Sequence, residues 1–110
     1  MKILCFGEII WDVFPEYKTL GGAPLNFCAH AVKNGAEGYL ISAVGNDELG
    51  KQALAKISKM RIDNCYISTN SLPTGKCVVG KDEKGFPAYS IAQNCAYEQL
   101  ILSDEIYKKH

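Results

Sequence analysis

The hydrophobic period of this chain switches repeatedly in its first half, and that switching most limits the folds open to it. Ile3-Leu4-Cys5-Phe6 is an unbroken apolar run closed by Gly7, the form of a strand buried on both faces of a parallel sheet. Leu25, Cys28, Ala29 and Val32 then recur at helical spacing between Pro24, which suits a first helical turn, and the stop signal Asn34-Gly35. Tyr39 to Val44 returns to a continuous apolar run. From Glu48 to Met60, the positions Leu49, Ala53, Leu54, Ile57 and Met60 keep helical period, while Lys51, Gln52, Lys56 and Lys59 take the opposite face. Gly45-Asn46-Asp47 is a turn that can also cap this helix. Strand, helix, strand, helix predicts an α/β layered sheet, because parallel strands need crossovers and those crossovers are right-handed.

The remainder is less regular. Ile9 to Phe14 is a second extended stretch carrying one charge, Asp12, and Pro15, Glu16 and Lys18 lead out of it toward Gly21-Gly22-Ala23-Pro24. Cys65 to Ile67 is expected to be a third strand of the main sheet. After the turn-rich Ser68 to Thr74, Lys76–Lys81 and Phe86–Ile91 flank Asp82-Glu83-Lys84-Gly85, a glycine-bearing hairpin turn. This hairpin is expected to form a flap with uncovered edges. Tyr97 to Leu102 reads as a short turn and Asp104 to Lys109 as the start of a helix; a crossover that begins there calls for a further strand, so the chain is expected to be the N-terminal part of something longer.

Composition excludes several classes of function. The 110 residues are 47% hydrophobic and 22% charged, an ordinary globular balance for less than one average domain. Twelve basic residues cancel twelve acidic ones, which leaves no electrostatic footprint for nucleic acid or an anionic membrane. The five cysteines, Cys5, Cys28, Cys65, Cys77 and Cys95, contain no CxxC pair, so reduced, structural thiols are expected rather than a disulfide framework or a zinc site. The apolar run near the N-terminus is too short for a signal peptide or a membrane span, and a cytoplasmic location follows as the expectation.

Gly21-Gly22 before a helix start exposes backbone N–H groups at the positive end of the helix dipole. Asp12 and Asn26 are placed to converge there. A carboxylate, an amide and exposed N–H groups together suit a polyhydroxylated ligand, whose hydroxyls need donors and acceptors at once. Spacing alone favours the plainer reading, a tight loop beside a surface carboxylate. Nucleotide-binding motifs are absent: no GxGxxG follows the first strand, and Gly75-Lys76-Cys77 has no P-loop before it.

The runs Gly21-Gly22-Ala23-Pro24-Leu25-Asn26-Phe27-Cys28-Ala29 and Leu40-Ile41-Ser42-Ala43-Val44-Gly45-Asn46-Asp47-Glu48-Leu49-Gly50 resemble the N-terminal signature of PfkB-type, ribokinase-like carbohydrate kinases. Gly7-Glu8 through Asp12 and Pro73-Thr74-Gly75 match as well, so the resemblance spans essentially the whole chain. Glu8, the Ala-Pro after Gly-Gly, and Asn94-Cys95-Ala96-Tyr97 are most similar to bacterial fructokinase-like members.

The resemblance implies that residues 1–110 are the N-terminal part of one domain with a ribokinase-like three-layer α/β/α fold, with strands of a small β-lid near 9–20 and 74–92. It implies that Asp12, Gly22 and Asn26 bind a small-molecule sugar, and that Cys77 and Val79 cover it from the lid, on one face by strand alternation. Ordinary lid packing is the other reading of those two, and His30 is expected only on the helix surface or in packing. The parent would use ATP and Mg²⁺ to phosphorylate a sugar hydroxyl, and a homodimer through the lid is a further implication. The family's Gly-Ala-Gly-Asp loop, with its catalytic aspartate, does not occur after Gly50, so no catalytic residue is assigned and the chain alone is expected to be inactive. The alternative is a non-catalytic module that binds a sugar or a partner.

Overall fold

The computed structural model describes residues 1–91 and 94–99. The main sheet has three parallel strands in the order β1 (Lys2–Phe6), β4 (Glu37–Gly45), β5 (Ile67–Asn70). Cys5 pairs with Leu40, and Ser42 with Ile67. Helices α1 (Ala23–Lys33) and α2 (Glu48–Lys59) lie in the β1–β4 and β4–β5 crossovers. Alternation along β4 sends Leu40 and Val44 toward the helices, where they join Cys5, Leu25, Cys28, Ala53, Ile57 and Ile62 in one buried cluster. Gly38 lies beneath α1 so closely that a Cβ there would stand 2.5 Å from Val32 Cγ2 and 2.7 Å from the Cys28 sulfur. No α-helix among the described residues covers the opposite face, where Leu4 and Phe6 are exposed. A 3-10 turn, Ala96–Gln99, packs against β4 and β5.

A second sheet has four strands, ordered β3 (Lys18–Gly21), β2 (Ile10–Val13), β6 (Gly75–Lys81), β7 (Pro87–Ile91). Its central pair, β2 with β6, is parallel, while β2–β3 and β6–β7 are antiparallel hairpins. Asp82 closes the β6–β7 turn: its carboxylate accepts from the amides of Lys84 and Phe86, and Gly85 adopts φ +84°.

Several expectations shift. Lys18–Gly21 forms a strand that the sequence pattern does not announce. β5 is displaced from Cys65–Ile67 to Ile67–Asn70, because those backbones find partners in Ser42–Gly45. The hairpin stays out of the main sheet as expected, but its edges are not both uncovered: β6 is an inner strand between β2 and β7, so among the described residues the open edges belong to β3 and β7. The helix expected from Asp104 lies outside the described residues. No disulfide forms; Cys5, Cys28, Cys77 and Cys95 are buried. Burial, reinforced by the neighbouring Cys5, pushes the Cys28 thiol up to about 12, which keeps it protonated and inert. No helix among the described residues is long and apolar enough to cross a membrane.

Candidate functional site

The carboxyl end of β1 meets the second sheet at Gly7–Ile9. Here Gly7 N–H donates to Ile41 O, and the Ser42 hydroxyl donates to Gly7 O at 2.6 Å. Carboxyl ends of parallel strands are where open α/β sheets present ligand sites. α1 begins at the same end. Its N-cap is Gly22, with φ +109°, and a Cβ there would stand 2.5 Å from Glu8 O. Both the dihedral and the space require glycine. Among the described residues no side chain caps this helix, and its first turn holds no acidic residue. The positive end of the dipole is therefore left for another group.

Asp12 and Asn26 come together at this helix start. Asp12 pairs with Thr19 across β2–β3, which makes Gly21 its diagonal neighbour on the same face. A methyl group placed on Gly21 would stand 3.7 Å from Asp12 Oδ2 and 3.8 Å from Asn26 Nδ2. The missing side chain of Gly21 thus leaves a gap bounded by a carboxylate acceptor and an amide. Asn26 is exposed and Asp12 half-buried, so both polar ends remain accessible.

On the other side of β2, Cys77 is the registered partner of Asp12. Cys77 is buried, whereas Val79, one alternation further along β6, is only half-buried and lines an apolar hollow with Phe14, Pro15, Gly80 and Lys81. Phe14 stacks on Tyr17 at 4.5 Å between ring centroids. Of the expected site residues, Asp12, Gly22 and Asn26 surround the start of α1, Cys77 flanks Asp12, and Val79 stands farther along the sheet. His30 is exposed on α1, as a surface histidine should be.

Two groups with no role assigned from sequence also reach this end. The Tyr97 ring lies under Gly75, where a Cβ would stand 2.6 Å from Cε2. Burial raises the Tyr97 hydroxyl above its ordinary value, followed by the charges of Cys95, Glu98 and Glu8. Glu8 itself folds beneath Gly22, with its Cγ 3.3 Å from the position of a Cβ there. Gly75, just before the strand expected at Lys76–Lys81, is the sequence signal available for Tyr97, because a glycine entering a strand often marks a close approach.

The family model for pfkB family carbohydrate kinases matches residues 2–105. The chain belongs to this family. It is similar to the ATP-dependent 6-phosphofructokinase of Thermoanaerobacterium thermosaccharolyticum, with 30% identity over 95 residues, covering 86% of this chain and 28% of that protein. Among solved structures, the fructokinase of Vibrio cholerae in apo form superposes with a TM-score of 0.86 at 24% identity, over 94% of this chain and 38% of the other. A sugar kinase of Pyrococcus horikoshii in complex with ATP gives a TM-score of 0.76 at 26% identity, over 88% of this chain and 35% of that one. The fold is the N-terminal portion of the ribokinase-like fold of these kinases. The chain spans less than a third of the length of the curated relatives it matches.

Proposed function

We propose that this chain supplies the sugar-binding half of an ATP-dependent carbohydrate kinase, as the N-terminal part of one kinase domain. The observation that carries this reading is the convergence of Asp12 and Asn26 on the gap at Gly21, in front of an uncapped helix start. The Asp12 carboxylate accepts sugar hydroxyl protons. The Asn26 amide and the backbone N–H groups of α1 donate to hydroxyl oxygens, and Gly22 lets the backbone approach the ligand. The second sheet acts as the lid, with Cys77 and Val79 over the sugar.

In such a kinase the γ-phosphoryl group of ATP passes in line to a sugar hydroxyl, and catalysis rests on positioning and charge stabilisation. The residues described here bind and orient the acceptor, and their sheet excludes water that would otherwise take the phosphate. ATP and Mg²⁺ are cofactors of the whole kinase; no group of three or more His, Cys, Asp or Glu among the described residues could hold a metal ion. The edge strands β3 and β7 and the exposed Tyr17 and Tyr89 support this sheet as the surface of a homodimer.

The test is calorimetric titration of the 110-residue chain with fructose and ribose, alongside Asp12→Ala. Each hydrogen bond to a charged acceptor is worth about 1.5–3 kcal/mol, so the substitution should weaken sugar binding about ten-fold or more. Equal affinity in the two proteins, or no binding of either sugar by the parent chain, overturns the reading.

A further inference from the structure

The central β2–β6 pair of the second sheet poses a problem of register. It is parallel, and its strands lie far apart in sequence, so no hairpin turn sets their alignment. A slip of one residue would turn Cys77 away from the face that carries Asp12. Something outside the sheet has to hold both strands.

Both are tied to one turn of the body. From β2, the Trp11 indole N–H donates to Leu49 O at 3.0 Å. At the root of β6, the Thr74 amide donates to Asp47 Oδ2 at 3.0 Å and the Thr74 hydroxyl donates to Asp47 Oδ1 at 2.6 Å. Asp47 is the N-cap of α2, where Oδ1 also accepts from the Gly50 amide at 2.8 Å. The Thr74 oxygen in turn accepts from Gly45 N–H, at the end of β4, at 2.8 Å. Thr74 is buried, and each polar atom of its side chain and amide is used.

The space around this latch is as specific as its hydrogen bonds. A Cβ on Gly45 would stand 2.7 Å from the Thr74 nitrogen, and one on Gly50 would stand 3.0 Å from Thr74 Oγ1 and 3.1 Å from Asp47 Oδ1. The Gly45 Cβ would also meet Leu72 O and the Gly50 Cβ would meet Gly45 O, so neither position takes a side chain without moving this junction. Gly45, Asp47 and Gly50 form one device.

We infer that the first turn of α2 is the mount of the second sheet and that Asp47 is a positioning residue, which sets β6 in register against β2 and so places Cys77 beside Asp12. Asp47 is only the helix cap by its sequence position; the structure gives it a second task. Its effect on a bound sugar rests on the function proposed above, whereas the anchoring itself does not.

Hydrogen exchange on the 110-residue chain tests the anchoring. Asparagine at position 47 retains an oxygen that can cap α2 through Gly50, but its amide nitrogen cannot accept from Thr74 N–H. Asp47→Asn should therefore speed exchange across Gly75–Val79 about ten-fold or more, the scale of one charge-assisted hydrogen bond, while α2 and β1–β4 amides stay within about two-fold. Thr74→Val should do the same, and Thr74→Ser, which keeps the hydroxyl, should restore slow exchange. Equal acceleration in β6, α2 and β4, or none in β6, overturns the inference. Should Thr74→Val fail to fold, Asp47→Asn and Thr74→Ser still decide it. Fructose titration of the same variants gives a separate readout: Asp47→Asn should weaken binding about ten-fold with Thr74→Ser unaffected. Absence of fructose binding by the parent chain would count against the proposed function and leave the exchange result standing.

Discussion

The two sheets of this molecule are held together by different means. In the main sheet and the helix α2 packed on it, Leu40, Val44, Ala53 and Ile57 have no solvent exposure, and β4 is buried from Gly38 to Gly45 except for the half-buried Tyr39. In the second sheet, Lys76, Val78, Ala88, Tyr89 and Ser90 stand in solvent. Trp11 is its deepest side chain, and it is buried against α2 rather than inside the sheet, with Lys18 and Lys56 nitrogens 5.3 and 5.6 Å from its ring centroid. The first sheet owes its form to the hydrophobic core, which is diffuse and cooperative. The second enters that core only through Trp11, with Val13 and Leu20 packed against it, and otherwise relies on backbone ladders and a few directional anchors. Fewer buried apolar side chains in this sheet predict that it opens before the body does, which under the function proposed above would suit a cover over a ligand.

The sharpest way to break this comparison is to remove a side chain from each sheet. Leu40→Ala opens a cavity in the shared core and should cost about 2–5 kcal/mol, while Val78→Ala on the exposed face of β6 should stay within about 0.5 kcal/mol. Urea titration followed by Trp11, the single tryptophan, measures both. Comparable losses would mean that the second sheet has a core of its own.

The same contrast explains what the sequence discloses. α1 and α2 are legible to within about two residues because Pro24, Asn34-Gly35 and Asp47 punctuate them, and Leu25, Cys28, Ala53 and Ile57 keep strict helical spacing toward a common interior. The β6–β7 turn is legible through Asp82 and Gly85. β3 is not, because Lys-Thr-Leu-Gly holds only one large apolar side chain and becomes a strand by pairing with Ile10–Val13. β5 misleads for a related reason: apolar Cys65 and Tyr66 lie outside it, and Ser68, Thr69 and Asn70 enter by backbone pairing with β4. At the candidate site, Asp12 and Asn26 could be named from local pattern. The Asp47–Thr74 contact could not, since its partners lie 27 residues apart and each has a sufficient local explanation alone.

Acid should separate the two sheets next. Burial alone would raise the Asp47 carboxyl, but the hydrogen bonds from the Thr74 hydroxyl, the Thr74 amide and the Gly50 amide outweigh it and hold the group below the usual carboxylate range. A carboxyl depressed on folding contributes stability that is complete above its unfolded value of 3.8 and is lost as pH falls through the lower folded value. Amide exchange in β6, corrected for the intrinsic pH effect, should therefore rise below that point before exchange in β4 does, and Asp47→Asn should abolish the difference. Simultaneous loss in both strands would assign acid sensitivity to the body as a whole.

The smallest expected effect is the most discriminating between packing and ligand binding. Gly21 is not among the residues with positive φ, and a methyl group on it would meet Asp12 and Asn26 at ordinary contact distances of 3.7 and 3.8 Å. Gly21→Ala should be accommodated and should raise stability by a few tenths of a kcal/mol, up to about 1, by restricting the unfolded chain. The same methyl group occupies the gap between the carboxylate and the amide, so fructose affinity should fall a few-fold. Opposite signs in denaturation midpoint and in sugar affinity are expected from one substitution. A loss of both would mean that the gap is a packing feature of the β3–α1 junction, and a gain in stability with affinity unchanged would move the ligand away from Gly21.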